Sequence, residues 1–189
     1  LGGLSLAVGV CVAELLHAFE LPQVRLKWPN DLLWENYKIG GILIEIAGDA
    51  SGPCDVVIGI GLNINNRQAG DVMRTVDQPW TDLASISADT NNRLISRNAV
   101  AAGLIESLCR RLPEFEAQGF AAFAEAYYAY DALRTTAVVV SGGNENLEGI
   151  ADGVDHEGCL RLKTADGGLR QIRSGEVSLR IAAAGKSQG

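Results

Sequence analysis

Residues 24–48 read VRLKWPNDLLWENYKIGGILIEIAG, three apolar runs broken by a Pro-Asn-Asp corner and by Glu35-Asn36. VRLKW (24–28) predicts a strand whose pairing stops at Pro29, because proline has no N–H to give a ladder. DLLWE (31–35) resumes extended chain, and Glu35-Asn36 makes a tight turn. The Ile-rich KIGGILIEIAG (38–48) predicts a third strand and DVVIGIGLNI (55–64) a fourth, with GDASGP (48–53) as the turn between them. Short strands joined this briefly form an antiparallel meander.

Upstream, Leu4, Val8, Cys11, Leu15 and Phe19 recur every three or four residues, which predicts a helix with one apolar stripe that ends near Pro22. Downstream, 65–80 is polar and aperiodic, so a long loop is expected. Ser96 or Thr90 can cap a helix that continues through VAAGLIESLCRRL, with Pro113 kinking or breaking it. FAAFAEAYYAY (120–130) predicts a further helix. After about residue 133 the texture changes. TTAVVVS, NLEGIADGV, GCLRLKT, GLRQIRS and EVSLRIA are short strands separated by SGGN, DHEG, ADGG and SGE. Five such strands predict a small SH3-like β-barrel, followed by a frayed tail, AAAGKSQG. The expected architecture is α/β (α+β). A mixed, mostly antiparallel sheet with helices occupies 1–133, and the barrel occupies 134–189.

With 189 residues, 47% of them hydrophobic, the chain can bury a core for one ordinary domain, or for a medium and a small one. The net charge of −7 repels phosphate backbones and argues against a general nucleic-acid binder. It does not exclude an anionic small ligand, because one lysine can dominate a pocket. Cys11, Cys54, Cys109 and Cys159 are far apart with no CxxC pair, so neither a zinc site nor a disulfide framework is expected. Cys11 and Cys109 fall within helical apolar patterns, where cysteine acts as a small hydrophobe, and a reducing, cytoplasmic setting follows. The opening LGGLSLAVGVCVAELL has neither Met nor a basic flank, and Glu14 interrupts its apolar run. It is neither a signal peptide nor long enough for the ~20 residues of a membrane span; the expectation is a chain that starts in the middle of a domain.

The corner carries the chemistry. Asn30 offers an amide that donates and accepts, and Asp31 a carboxylate that can orient or deprotonate an amine. Lys38 heads the next strand, with Gly40 and Gly41 just beyond it. Glycine inside a strand weakens it unless another backbone or a ligand comes close. A cation beside a sheet stripped of side chains makes a floor for an anionic ligand. GIGLN (59–63) repeats the pattern with Gly59, Gly61 and Asn63. Each signal alone has a plain alternative: Pro-Asn-Asp as a turn, Lys38 as a solvated strand end, the glycines as bulge or packing positions. His17, His156, Trp28, Trp34 and Trp80 read as structural. GIGLNI lacks the third glycine and following helix of a dinucleotide fingerprint.

Together, KWPND, then K-x-G-G-I-L at Lys38–Leu43, then G-x-G-L-N at Gly59–Asn63, resemble biotin protein ligase, and so do the opening helix and the tail GGLRQIRSGEVSLR. The resemblance implies ATP-dependent activation of biotin to biotinyl-5′-AMP and transfer to a lysine of a biotin carboxyl carrier protein domain. It implies Lys38 and Asp31 as catalytic residues. Lys38, Asn30, Gly40, Gly41, Gly59, Gly61 and Asn63 would line the adenylate. Mg²⁺ is expected with ATP, with no ligand assigned to it. The family's GRGRxGR-style loop and its upstream biotin-pocket strands are not in this sequence, so the 189 residues alone are expected to be inactive. The competing readings are a lipoate or octanoyl ligase, which shares the fold, and a non-catalytic module that docks a partner along its sheet edge. An exposed edge also makes a homodimer an expectation.

Overall fold

The structure, a computed structural model, describes residues 1–48, 54–65, 78–90, 95–142, 146–175 and 178–181. The expected turn at 49–53, most of the loop over 65–80, the second half of SGGN, the end of the SGE turn and the tail lie outside the described residues. The first sheet contains β1 (Val24–Lys27), β2 (Asp31–Trp34), β3 (Tyr37–Gly48) and β4 (Cys54–Leu62), paired antiparallel in chain order. Pro29 lies in the β1–β2 connection. Glu35-Asn36 joins β2 to β3, with Trp34 paired to Tyr37 and Glu35 at φ 52, a left-handed value suited to so short a connection.

Helix α1 (Leu4–Ala18) departs from the expected single stripe. Leu6, Ala7, Val10, Val12 and Ala13 are buried along with Leu4, Val8 and Cys11. The reason is tertiary: α1 is packed between the sheet and a second layer of helices, so two faces need apolar cover. Gly9 lets it approach closely, since a methyl there would stand 3.2 Å from Leu26.

The helical layer departs from expectation at several points. A helix not expected from the sequence, α2 (Leu83–Thr90), ends in Thr90, whose hydroxyl donates to Ile86 O (2.9 Å), so Thr90 closes one helix rather than capping the next. Ser96 takes the cap position of α3 (Arg97–Gln118), though its side chain makes no capping bond. Pro113 neither breaks nor ends α3, which runs five residues beyond it. Leu108 and Leu112 before it and Phe115 after it all pack on the core and hold both halves in line. The segment over 120–130 is a 3₁₀ turn (Gly119–Phe123) followed by α4 (Ala124–Tyr130). Cys11 is buried as expected, but Cys109 is exposed, because its side of α3 faces solvent. None of the described helices is long and apolar enough to cross a membrane.

The second sheet has β5 (Ala137–Ser141), β6 (Leu147–Val154), β7 (Leu160–Lys163), β8 (Leu169–Ile172) and β9 (Ser178–Ile181), in the order β8-β7-β6-β5-β9. All five expected strands form. Val138, Val140, Ala151, Val154, Leu160, Leu162, Ile172 and Leu179 point inward and join the same apolar core as α1 and the first sheet. The DHEG turn is stitched by Asp155, whose Oδ1 accepts from the N–H groups of Glu157 and Cys159 (both 2.9 Å).

Asp152 on β6 accepts from Lys163 Nζ (2.8 Å) and Arg161 Nη2 (2.9 Å). The Lys163 hydrogen bond, helped by nearby positive charge, holds its carboxyl below the usual carboxylate range. A depressed native pKa gives stability that is present above the ordinary carboxylate value and lost as pH falls through the depressed one. The melting temperature of wild type should therefore fall more steeply on acidification than that of Asp152→Asn. Parallel curves would show that the clamp contributes nothing.

Candidate functional site

The β1–β2 connection is three residues long, Trp28-Pro29-Asn30, and closes where Lys27 pairs with Asp31. Asn30 is locked to β3 twice: its Nδ2 donates to Ile42 O (2.8 Å) and its carbonyl accepts from Ile42 N (2.9 Å). From α1, Ser5 Oγ donates to Pro29 O (3.0 Å). The corner is thus fixed from two elements before any ligand is considered.

The register lines up Lys27, Asp31, Gly41 and Gly61 across all four strands. Directly opposed residues share a face of the sheet, so these four form one row on the face away from α1. Asp31 sits between two cations. Its Oδ2 accepts from Lys27 Nζ (3.3 Å), and its Oδ1 is ion-paired with Lys38 Nζ. Two ammonium groups against one carboxylate leave a single positive charge on an acidic protein. The Asp31 and Lys27 side chains are each only 12% exposed, so the attraction is little screened there; Lys38 is 37% exposed and open to a ligand.

A β-bulge puts Lys38 in this group. Asp31 opposes Gly41 and Leu32 opposes Gly40, but Leu33 opposes Lys38, so Ile39 is an extra residue in β3. Without it, Lys38 and Gly41, three apart, would face opposite sides. A methyl on Gly41 would lie 3.7 Å from each of Asn30 O, Asp31 Oδ1 and Lys38 Cε. Gly41 is the bare point around which the corner, the carboxylate and the lysine stem meet. Gly59 and Gly61 are similar, with ordinary contact distances of 3.5 to 3.7 Å to a methyl. The protein's own packing does not demand glycine at these three positions.

Gly40 is different, and its expected place in the ligand floor needs correction. It is on the opposite, buried face, and a methyl there would fall 2.4 Å from Gly61 O and 3.2 Å from Leu32 and Leu62. Close strand packing accounts for this glycine. Gly40→Ala should destabilise the fold by about 1–3 kcal/mol, the usual range for overpacking, while Gly41→Ala should leave the melting temperature nearly unchanged. Equal melting shifts would contradict the assignment of faces. Asn63 is also tied into the scaffold: its Nδ2 donates to Thr81 O (3.2 Å) and its backbone N–H to Ile39 O (2.8 Å). It stands near Lys38 through the segment 79–81, which pairs with Lys38 by Lys38 N–H to Pro79 O (2.8 Å) and Thr81 N–H to Lys38 O (3.0 Å).

Two residues of the site were not singled out in the sequence. Lys27 carried a signal, its place four residues before Asp31 in KWPND. Arg180 carried none. It lies on β9 and, with Lys27, Asn30, Asp31 and Pro79, lines a cleft of about 640 Å³ between the corner and the second sheet. Among the described residues no three His, Cys, Asp or Glu side chains cluster as a metal site would need.

The Biotin/lipoate A/B protein ligase family matches residues 5–63, which span α1, the corner and the glycine stripe, and the Biotin protein ligase C terminal domain matches residues 137–180. The bifunctional ligase/repressor BirA of Escherichia coli is 34% identical over 180 residues. The chain belongs to the biotin protein ligase family. The alignment with BirA covers 95% of this chain and 54% of that protein, so the chain spans about half the length of this relative. Another member of the biotin protein ligase family, the biotin–[acetyl-CoA-carboxylase] ligase of Paracoccus denitrificans, is 28% identical over 156 residues, covering 82% of this chain and 62% of that one. The Aquifex aeolicus biotin protein ligase, solved in complex with biotin and ATP, superposes with a TM-score of 0.81 at 26% identity, over 96% of this chain and 72% of that one. The fold is therefore that of biotin protein ligases: mixed antiparallel sheet with helices, followed by an SH3-like module.

Proposed function

We propose that the protein activates biotin with ATP and transfers it to a lysine of a biotin carboxyl carrier protein domain, with the corner of β1–β2 and Lys38 as its centre. The observation that carries this reading is the row Lys27–Asp31–Gly41–Gly61 with Lys38 bulged onto the same face. It offers net positive charge over exposed main chain, beside a cleft large enough for a nucleotide-sized ligand.

In the first step a biotin carboxylate oxygen bonds to the α-phosphorus of ATP, the bond to the bridging oxygen breaks, and pyrophosphate leaves. Negative charge gathers where carboxylate and phosphate meet, and Lys38 is the group to stabilise it. A fixed ammonium needs no reorganisation as the charge develops. In the second step the neutral amine of the acceptor lysine attacks the acyl carbon and AMP departs with the electron pair of the acyl–oxygen bond. Asp31 orients that amine and accepts its proton. Asn30 and Asn63 border the adenylate. Gly41, Gly59 and Gly61 let it lie against the sheet.

Mg²⁺ bound with ATP would neutralise phosphate charge. Among the described residues no three His, Cys, Asp or Glu side chains cluster to hold it, and no step here runs through the ion. The reading places residues 1–133 as the catalytic part and 134–189 as the SH3-like part, in a cytoplasmic enzyme. The match of 137–180 to the biotin protein ligase C terminal domain favours biotin over lipoate or octanoate. A homodimer along β4 is part of the proposal, since among the described residues β4 ends the order of its sheet and Leu43, Ile46 and Val57 are exposed on β3 and β4. The test is to incubate full-length protein with biotin, ATP and a carrier domain. One biotinyl group should be added to the carrier with release of pyrophosphate. An unmodified carrier, or equal use of lipoate, would overturn the reading.

A further inference from the structure

Trp28 precedes the corner and is buried, 1% exposed. Its partner is not in the catalytic half. Trp28 Nε1 donates to Gly158 O (3.1 Å), 130 residues further along, in the turn between β6 and β7. That turn is wedged in place: Gly158 has φ 80, and a methyl on it would fall 2.5 Å from Gly3 Cα at the start of α1. A second hydrogen bond crosses between the same halves, Tyr128 Oη to Val154 O (2.7 Å), but Tyr128 is on α4 and not in the β1–β2 connection. The two bonds are a natural experiment in which equal docking chemistry meets different positions.

We infer that Trp28 and the Gly158 carbonyl form a latch through which the SH3-like part positions the Asn30–Asp31 corner, making Trp28 a positioning residue for the adenylation and transfer chemistry. The corner is held by Ser5 from α1, by Ile42 from β3 and, through Trp28, by the second sheet. The first two fix Pro29 and Asn30, and the Lys27–Asp31 pair closes the base of the connection. Trp28 stands between them, and its side-chain bond goes to the β6–β7 turn of the second sheet. Reacting groups misplaced by about 1 Å can lose as much as 10²-fold in rate, so a single anchor at this place affects chemistry more than its own bond energy suggests.

The inference rests on the proposed function, and its test separates the two. In full-length protein, Trp28→Phe removes the indole donor together with one buried ring, and Tyr128→Phe removes only the other crossing bond. Trp28→Phe should lower the melting temperature more than Tyr128→Phe, because it also leaves a cavity, so both are assayed well below their melting temperatures. Trp28→Phe should lower kcat for biotin- and ATP-dependent adenylate formation at least fivefold with little change in KM, and Tyr128→Phe should not. Independently of any activity, the Ile42 amide, which donates to Asn30 O, should exchange with solvent several-fold faster in Trp28→Phe than in Tyr128→Phe. Equal kcat and equal Ile42 exchange in the two variants would overturn the latch. A wild type that makes no biotinyl-5′-AMP, with Ile42 exchange still selectively raised by Trp28→Phe, would overturn the function and leave the latch standing.

Discussion

Lys38→Ala in the full-length protein is expected to slow formation of biotinyl-5′-AMP by 10²–10³-fold, the ~3–4 kcal/mol typical of losing one preorganised charge-stabilising donor. The lysine is placed for this. Its backbone is clamped by Pro79 and Thr81, its stem passes over Gly41, and its ammonium is drawn to the corner by Asp31. The loss should fall on kcat rather than on biotin binding, because the charge it answers exists only once carboxylate and phosphate meet. Pyrophosphate exchange into ATP measures the step directly. A variant that keeps wild-type exchange would reduce Lys38 to a partner of Asp31. The same measurement separates an enzyme from a docking module, which would not notice the change.

Asp31→Asn should have its main effect on the other half-reaction. Supplied with preformed biotinyl-5′-AMP, the variant should transfer biotin to the carrier ~10²-fold or more slowly, within the range for loss of a positioned general base. Adenylate formation should suffer less, since the two lysines that flank the site remain. With the carboxylate gone, Lys27 and Lys38 have lost their common counter-charge, and affinity for ATP should hold or rise. Transfer at the wild-type rate would remove Asp31 from the chemistry and leave it as a spacer between two cations.

Much of the frame is legible in the sequence because local chemistry determines it. Pro29 has no N–H for the ladder, so β1 ends where it must. Glu35-Asn36 is short, so β2 and β3 are neighbours. The Gly-rich turns after residue 133 divide a run of strands that no helical period could explain. What the sequence does not show depends on neighbours. The single stripe expected on α1 is too narrow because nothing local shows that a second helical layer covers its back. Pro113 looked like a break because the penalty is local, while the packing of Leu112 and Phe115 that offsets it is not. Gly40 and Gly41 are adjacent and chemically identical in sequence, yet one is demanded by a facing carbonyl and the other opens onto the site.

From the chain alone came the identity of the groups: a carboxylate, an ammonium and an amide beside glycines, in an order shared with biotin protein ligases. Their assembly was decided in three dimensions. Side chains alternate along a strand, so Lys38 and Gly41 belong on opposite faces until Ile39 is inserted as a bulge and turns the lysine to Asp31's side. Lys27 and Arg180 join them only because pairing and sheet packing bring β1 and β9 to the same cleft. Residue type follows from the sequence, but which face a side chain occupies depends on register, and register is settled by every strand at once.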